Sequence, residues 1–103
     1  MRELENFTVT YLKDTGGRKG FARVIADVRL DARQTRFVFE CVADIVKSAW
    51  TASVFQGCLY EVSALRLSGI RVTLRSLEDG PTSDARDFVE TGRMLIREAF
   101  ERE

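Results

Sequence analysis

Between two strand-like runs the chain reads Asp14-Thr15-Gly16-Gly17-Arg18-Lys19-Gly20-Phe21. The glycines open backbone conformations of positive φ that side-chain-bearing residues resist. Arg18 and Lys19 then set two cations at the tip of a loop. A guanidinium can grip a phosphate through two parallel hydrogen bonds, and an ammonium meets it as a point charge. The chemistry this loop suits is contact with a phosphate backbone. On residue chemistry alone, the simplest account of it is a solvated hairpin turn.

Other chemistries are excluded by what the chain lacks. It has no histidine, so a histidine general base or a serine–histidine triad cannot be assembled. Its two cysteines, Cys41 and Cys58, cannot complete a tetrahedral zinc site without carboxylates that structural sites rarely use. Both fall in apolar segments and read as buried, inert thiols, not as a disulfide or a nucleophile. No G-x-x-x-x-G-K-[ST] phosphate loop occurs, so this chain on its own is expected to hydrolyse no GTP. No residue takes a catalytic role, and no cofactor or metal is expected.

The 103 residues fit a single domain over residues 1–103, with one core. Sixteen basic residues balance sixteen acidic ones, so nucleic-acid binding has to come from a local patch and not from the overall field. No apolar run is long enough to cross a bilayer, and the charged start does not read as a signal peptide. A cytoplasmic protein that does not engage membranes is expected.

The hydrophobic period places these residues on elements. Residues 7–12 alternate and read as a strand, and residues 21–30 as a second, with Arg23, Asp27 and Arg29 facing outward and a slip near Val24 and Ile25. Residues 36–42 give a third strand after a polar turn. The first half reads as an antiparallel meander. From Asp44, a candidate N-cap, the period shifts to that of a helix carrying Trp50, Val54 and Cys58 on its apolar face and stopping near Ser68-Gly69. Residues 70–77 alternate as a fourth strand, with Arg71, Thr73 and Arg75 sharing a face. After the Glu78-Asp79-Gly80-Pro81 turn, Thr82 or Ser83 can cap a last helix through Phe88 and Phe100. Gly92 suits close helix–sheet packing. Glu61, Arg66 and the charges of residues 90–103 read as a solvated helix face. The order β-β-β-α-β-α predicts an α+β two-layer sandwich, a four-stranded sheet with two helices on one face.

Motifs in this order resemble the fourth domain of the elongation factor G and elongation factor 2 translocases. Thr15-Gly16-Gly17-Arg18 followed by Gly20-Phe21 and Val24 is similar to the family's Ser/Thr-Gly-Gly-Arg loop. Trp50, Ser53-Val54 and Gly57 keep its helix spacing, and Leu67-Ser68-Gly69 with Val72 resembles its Leu-Ala-Gly segment. Asp79-Gly80, Phe88 and Glu98-Ala99-Phe100 match its ending, so residues 7–101 are covered. The chain departs from the family in lacking the histidine at the domain's tip. Its second loop is shorter, and Ala43-Asp44 and Lys47 replace a Gly-Gly and a proline. The tetracycline-resistance ribosomal protection proteins carry a similarly divergent domain.

The resemblance implies the fold of the second domain of ribosomal protein S-five, with its left-handed crossover. It also implies a non-catalytic translation-factor domain docking on ribosomal RNA near the decoding region. By the same resemblance Thr15, Gly16, Gly17, Arg18, Lys19 and Gly20 form one contacting fingertip, and Asp79, Gly80, Thr82 and Ser83 a shortened second one. The G domain would belong to a longer parent chain or a protein partner. The alternative is a stand-alone protein–protein interaction module that kept the fold and lost the ribosome, which the missing histidine and neutral charge favour. Trp50 reads as core in preference to a base-stacking platform.

Overall fold

The alternation of residues 21–30 sets the centre of the molecule. In the computed structural model, which describes residues 2–31, 33–42 and 49–101 and only the backbone of Thr15 and Arg18, Ala22, Val24, Ala26, Val28 and Leu30 are all buried. They lie on β2 (Arg18–Leu30), flanked by β1 (Arg2–Thr15) on one side and β4 (Ile70–Asp79) on the other, both antiparallel to it. The short β3 (Val38–Cys41) completes a four-stranded mixed sheet in the order β1-β2-β4-β3.

The meander expected of the first half is therefore corrected. β3 does not pair with β2; it runs parallel to β4 at the sheet's edge. The longer β4, with Ile70, Val72 and Leu74 buried, takes the place beside β2. A parallel neighbour needs a crossover, and helix α1 (Thr51–Ala64) supplies it between β3 and β4. The polar segment after β2 is tied to the start of β4 by the Asp31 N–H, which donates to the Gly69 carbonyl at 2.8 Å.

The slip anticipated near Val24 and Ile25 falls on the neighbouring strands instead. β1 carries an extra residue between Leu4 and Phe7, where Asn6 adopts a φ of 50°, and β4 carries one opposite Ile25 and Ala26. Asp27 sits between these two bulges. Its carboxylate accepts the Asn6 N–H at 2.9 Å and the Arg75 Nε–H at 2.7 Å, so one side chain holds both irregularities. The Arg75 hydrogen bond holds the Asp27 carboxyl below its ordinary range.

Both helices cover one face, α1 with Val54, Cys58 and Val62 and α2 (Ala85–Glu101) with Phe88, Leu95, Ile96 and Ala99. The expected α+β sandwich is observed. Gly92 serves the helix–helix seam, not helix–sheet packing: a Cβ there would lie 2.3 Å from the Val54 carbonyl oxygen, and one at Gly57 2.0 Å from that of Val89. Glu61 is likewise no solvated residue. It is 3% exposed and accepts from Arg93 Nε at 2.9 Å and Arg97 Nη2 at 3.0 Å across the seam. Burial pushes its carboxyl up, and the two arginines more than reverse this, leaving it below its ordinary range.

The ends of α1 also differ from expectation. The start near Asp44 lies outside the described residues, and Trp50 occupies the N-cap position. The helix stops at Leu65, before Ser68-Gly69. Arg66 takes the left-handed position with φ 54°, the Leu67 N–H donates to Val62 O at 2.9 Å and the Arg66 N–H to Ser63 O at 3.2 Å. This is a Schellman stop with arginine where glycine is usual. Gly69 is required instead by close approach, since a Cβ there would fall 1.8 Å from Asp31 O.

Candidate nucleic-acid interface

Strands β1 and β2 pair up to Thr15 and Arg18, leaving a two-residue turn. Gly16 and Gly17 carry φ of 52° and 96°, the positive pair that a hairpin turn matching the strand twist demands. A Cβ on either would meet nothing within 4 Å. These two glycines serve the turn alone and leave its tip bare.

Gly20 is different. It is buried, and a Cβ there would sit 2.7 Å from Asp87 Oδ1. Asp87 belongs to the cap of α2, where the Asp84 N–H donates to Asp87 Oδ2 at 3.0 Å and the Asp87 N–H to Asp84 Oδ1 at 3.2 Å. This reciprocal box is the cap that Thr82 or Ser83 was expected to provide. Those two hydroxyls face β2 instead. Thr82 Oγ1 donates to the Lys19 carbonyl, and Ser83 Oγ donates to the Phe21 carbonyl while accepting the Gly80 N–H at 2.8 Å.

The two expected fingertips are thus one structure. Between them lies a cleft of about 550 Å³ lined by Leu12, Lys19, Phe21, Gly80, Pro81 and Thr82, with Asp14, Gly17 and Gly20 completing its wall. Leu12, near the end of β1, is 73% exposed. Lys19 is exposed and makes no ion pair among the described residues. An apolar floor beside a cation is a surface on which a base can rest while a phosphate is neutralised.

Of the residues expected to make contact, Gly16 and Gly17 form the turn, Lys19, Gly20, Gly80 and Thr82 line the cleft, and Ser83 braces it from below. Asp79 is turned away, its Oδ2 accepting the Trp50 Nε1–H at 3.0 Å. The side chains of Thr15 and Arg18 lie outside the described residues. Trp50 stacks on Phe88 with centroids 4.8 Å apart, a core role as expected. Pro81 falls within the expected second fingertip, Asp79 to Ser83, whereas Leu12 and Phe21 were missed. The signal for Leu12 was available, because it shares the outward phase of Thr8 and Thr10.

The outer face of the sheet offers a contrast. Arg71, Thr73 and Arg75 share it as expected, but nearer the loop its cations are closely matched, Arg23 by Glu78 at 3.0 Å and Arg75 by Asp27. Cys58 is fully buried, with Sγ 3.5 Å from the Gly92 carbonyl oxygen, and burial pushes its thiol far up. Burial also raises the half-buried Cys41 thiol. Neither environment favours the thiolate, the form that acts as a nucleophile. Among the described residues no helix is long and apolar enough to cross a membrane.

No protein-family model and no curated protein matches this chain. Its fold is similar to part of a crystal structure of a protein from Thermus thermophilus, with a TM-score of 0.69 at 15% identity. The likeness covers 93% of this chain and 15% of the Thermus chain. At that identity it establishes a shared fold, in which the present domain corresponds to a small part of a far longer protein.

Proposed function

We propose that this chain is a non-catalytic RNA-docking domain of the kind found as the fourth domain of translocases, and that it meets ribosomal RNA near the decoding region through the glycine-loop cleft. The observation that carries this reading is the union of the two loops. Thr82 and Ser83 bind the backbone of Lys19 and Phe21, so residues from both expected fingertips present one preformed surface. The sequence motifs and the fold shared with a much longer chain agree with it. Preorganisation matters because ordering a loop at the moment of binding costs affinity. The domain acts by docking, and any GTP hydrolysis would lie in a longer parent chain or a partner.

A second reading rests on a separate observation. Phe55, Leu59 and Tyr60 of α1 are 39%, 42% and 61% exposed, and none of them lines the loop cleft. A module whose chief contact is another protein would use this helix face.

Co-sedimentation with small ribosomal subunits and whole ribosomes, over a salt series, separates the two. Salt-sensitive binding that is lost in an Arg18→Glu/Lys19→Glu variant supports RNA docking. A folded wild-type chain that stays in the supernatant at low salt overturns it and favours the protein-binding module.

A further inference from the structure

Arg29 and Arg71 stand directly opposite each other on β2 and β4, toward the end of the sheet remote from the glycine loop. Like charges in register across a sheet repel. Each is relieved only loosely, Arg29 by Glu3 at 3.6 Å and Arg71 by Glu40 at 3.4 Å, against 3.0 Å for Arg23 and Glu78. A third guanidinium, Arg36, lines the same cavity from the segment leading into β3 and makes no ion pair among the described residues.

The cavity holds about 300 Å³ and is also lined by Asp31, Gln34 and Gly69. Asp31 brings a carboxylate, but Arg33 engages it through its backbone N–H at 3.1 Å and its Nε at 3.3 Å. The walls are fixed by the backbone. The Asp31 N–H donates to Gly69 O at 2.8 Å and the Gln34 N–H to Asp31 O at 3.0 Å, with Gly69 pressed against this crossing.

We propose that this cavity is an anion site that binds a phosphate group through Arg29, Arg36 and Arg71. Three guanidiniums around a concave, preformed space face two long, exchangeable acid partners. A multiply charged oxyanion accepts forked hydrogen bonds from such an array and relieves the repulsion between the opposed arginines. The phosphate could belong to a small molecule or to a nucleic-acid backbone. Lys19 and Arg29 are ten residues apart on β2, so the site lies roughly 30 Å from the glycine loop and stands independently of the docking reading.

The test is a two-dimensional amide NMR titration at fixed ionic strength, with sodium pyrophosphate in one arm and a short single-stranded RNA in the other. Saturable shifts confined to residues 29–36 and 69–71 are expected with pyrophosphate. Shifts there with both probes, competing with each other, would assign a backbone phosphate; pyrophosphate alone would assign a small ligand. Arg36→Gln/Arg71→Gln should weaken binding by roughly tenfold or more. Glu40→Gln, which releases Arg71, should tighten it, an outcome that damage to the fold cannot produce. Absence of saturable shifts with either probe, or equal affinity in the arginine variant, overturns the proposal.

Discussion

The helix seam and the loop end of the sheet both depend on glycine, for opposite reasons. At Gly57 and Gly92 a side chain is forbidden by backbone atoms of the facing helix. At Gly16 and Gly17 nothing stands within 4 Å of a would-be Cβ, and only the sign of φ demands glycine. A glycine that closes a seam belongs to stability. One that shapes an open turn leaves a bare backbone that a ligand can approach. Gly20 lies between these cases, open to the cleft on one side and closed against Asp87 on the other.

Substitutions can break this comparison in order of size. Gly57→Ala or Gly92→Ala should cost about 3 kcal/mol or more, since backbone cannot step aside as a side chain can. Urea denaturation would measure it, and a loss below about 1 kcal/mol would mean that the helices are not held this close. Glu61→Gln, which removes the buried charge that Arg93 and Arg97 share and leaves Arg93 to Glu90, should cost about 2 kcal/mol at neutral pH.

The Glu61 variant also sharpens the pH dependence. The Glu61 and Asp27 carboxyls titrate below their ordinary range in the folded chain, so the unfolded chain binds protons first. Their stabilisation is complete above the unfolded carboxylate pKa and is lost as the pH falls through the folded one. The acid limb of stability against pH should be shallower in Glu61→Gln than in wild type.

Smaller effects belong to the loop end. Gly20→Ala should cost about 1 kcal/mol by displacing Asp87 from its box. In a double-mutant cycle with Asp87→Ala the two losses should not add. Gly16→Asn should change stability by less than about 0.5 kcal/mol, because Asn-Gly suits a turn with positive φ at both positions. A large loss there would show a packed loop in place of an open one.

Much of this was legible in the sequence where one periodicity sufficed. The alternation on β2 and β4 marked the inward face, and the shift of period after β3 marked the helices. Legibility failed where two elements had to be known together. The edge position of β3 depends on β4 outcompeting it beside β2. The buried state of Glu61 depends on arginines more than thirty residues away on α2. Arg66 does the work of a glycine cap because the bonds from Leu67 and Arg66 hold it there. The same holds for the site. Both loops could be named from their residues, but their fusion rests on hydroxyls of Thr82 and Ser83 that read locally as helix caps.

The central claim is that the loop end, and not the neighbouring Arg23–Glu78 stretch of the outer face, docks on ribosomal RNA. The most direct test is the slope of log binding constant against log salt for small ribosomal subunits, taken for wild type, Lys19→Gln and Arg23→Gln. Lys19→Gln should lower the slope by about one while Arg23→Gln, whose cation is held by Glu78, leaves it unchanged. Equal slopes for wild type and Lys19→Gln, with a drop for Arg23→Gln, would contradict the account.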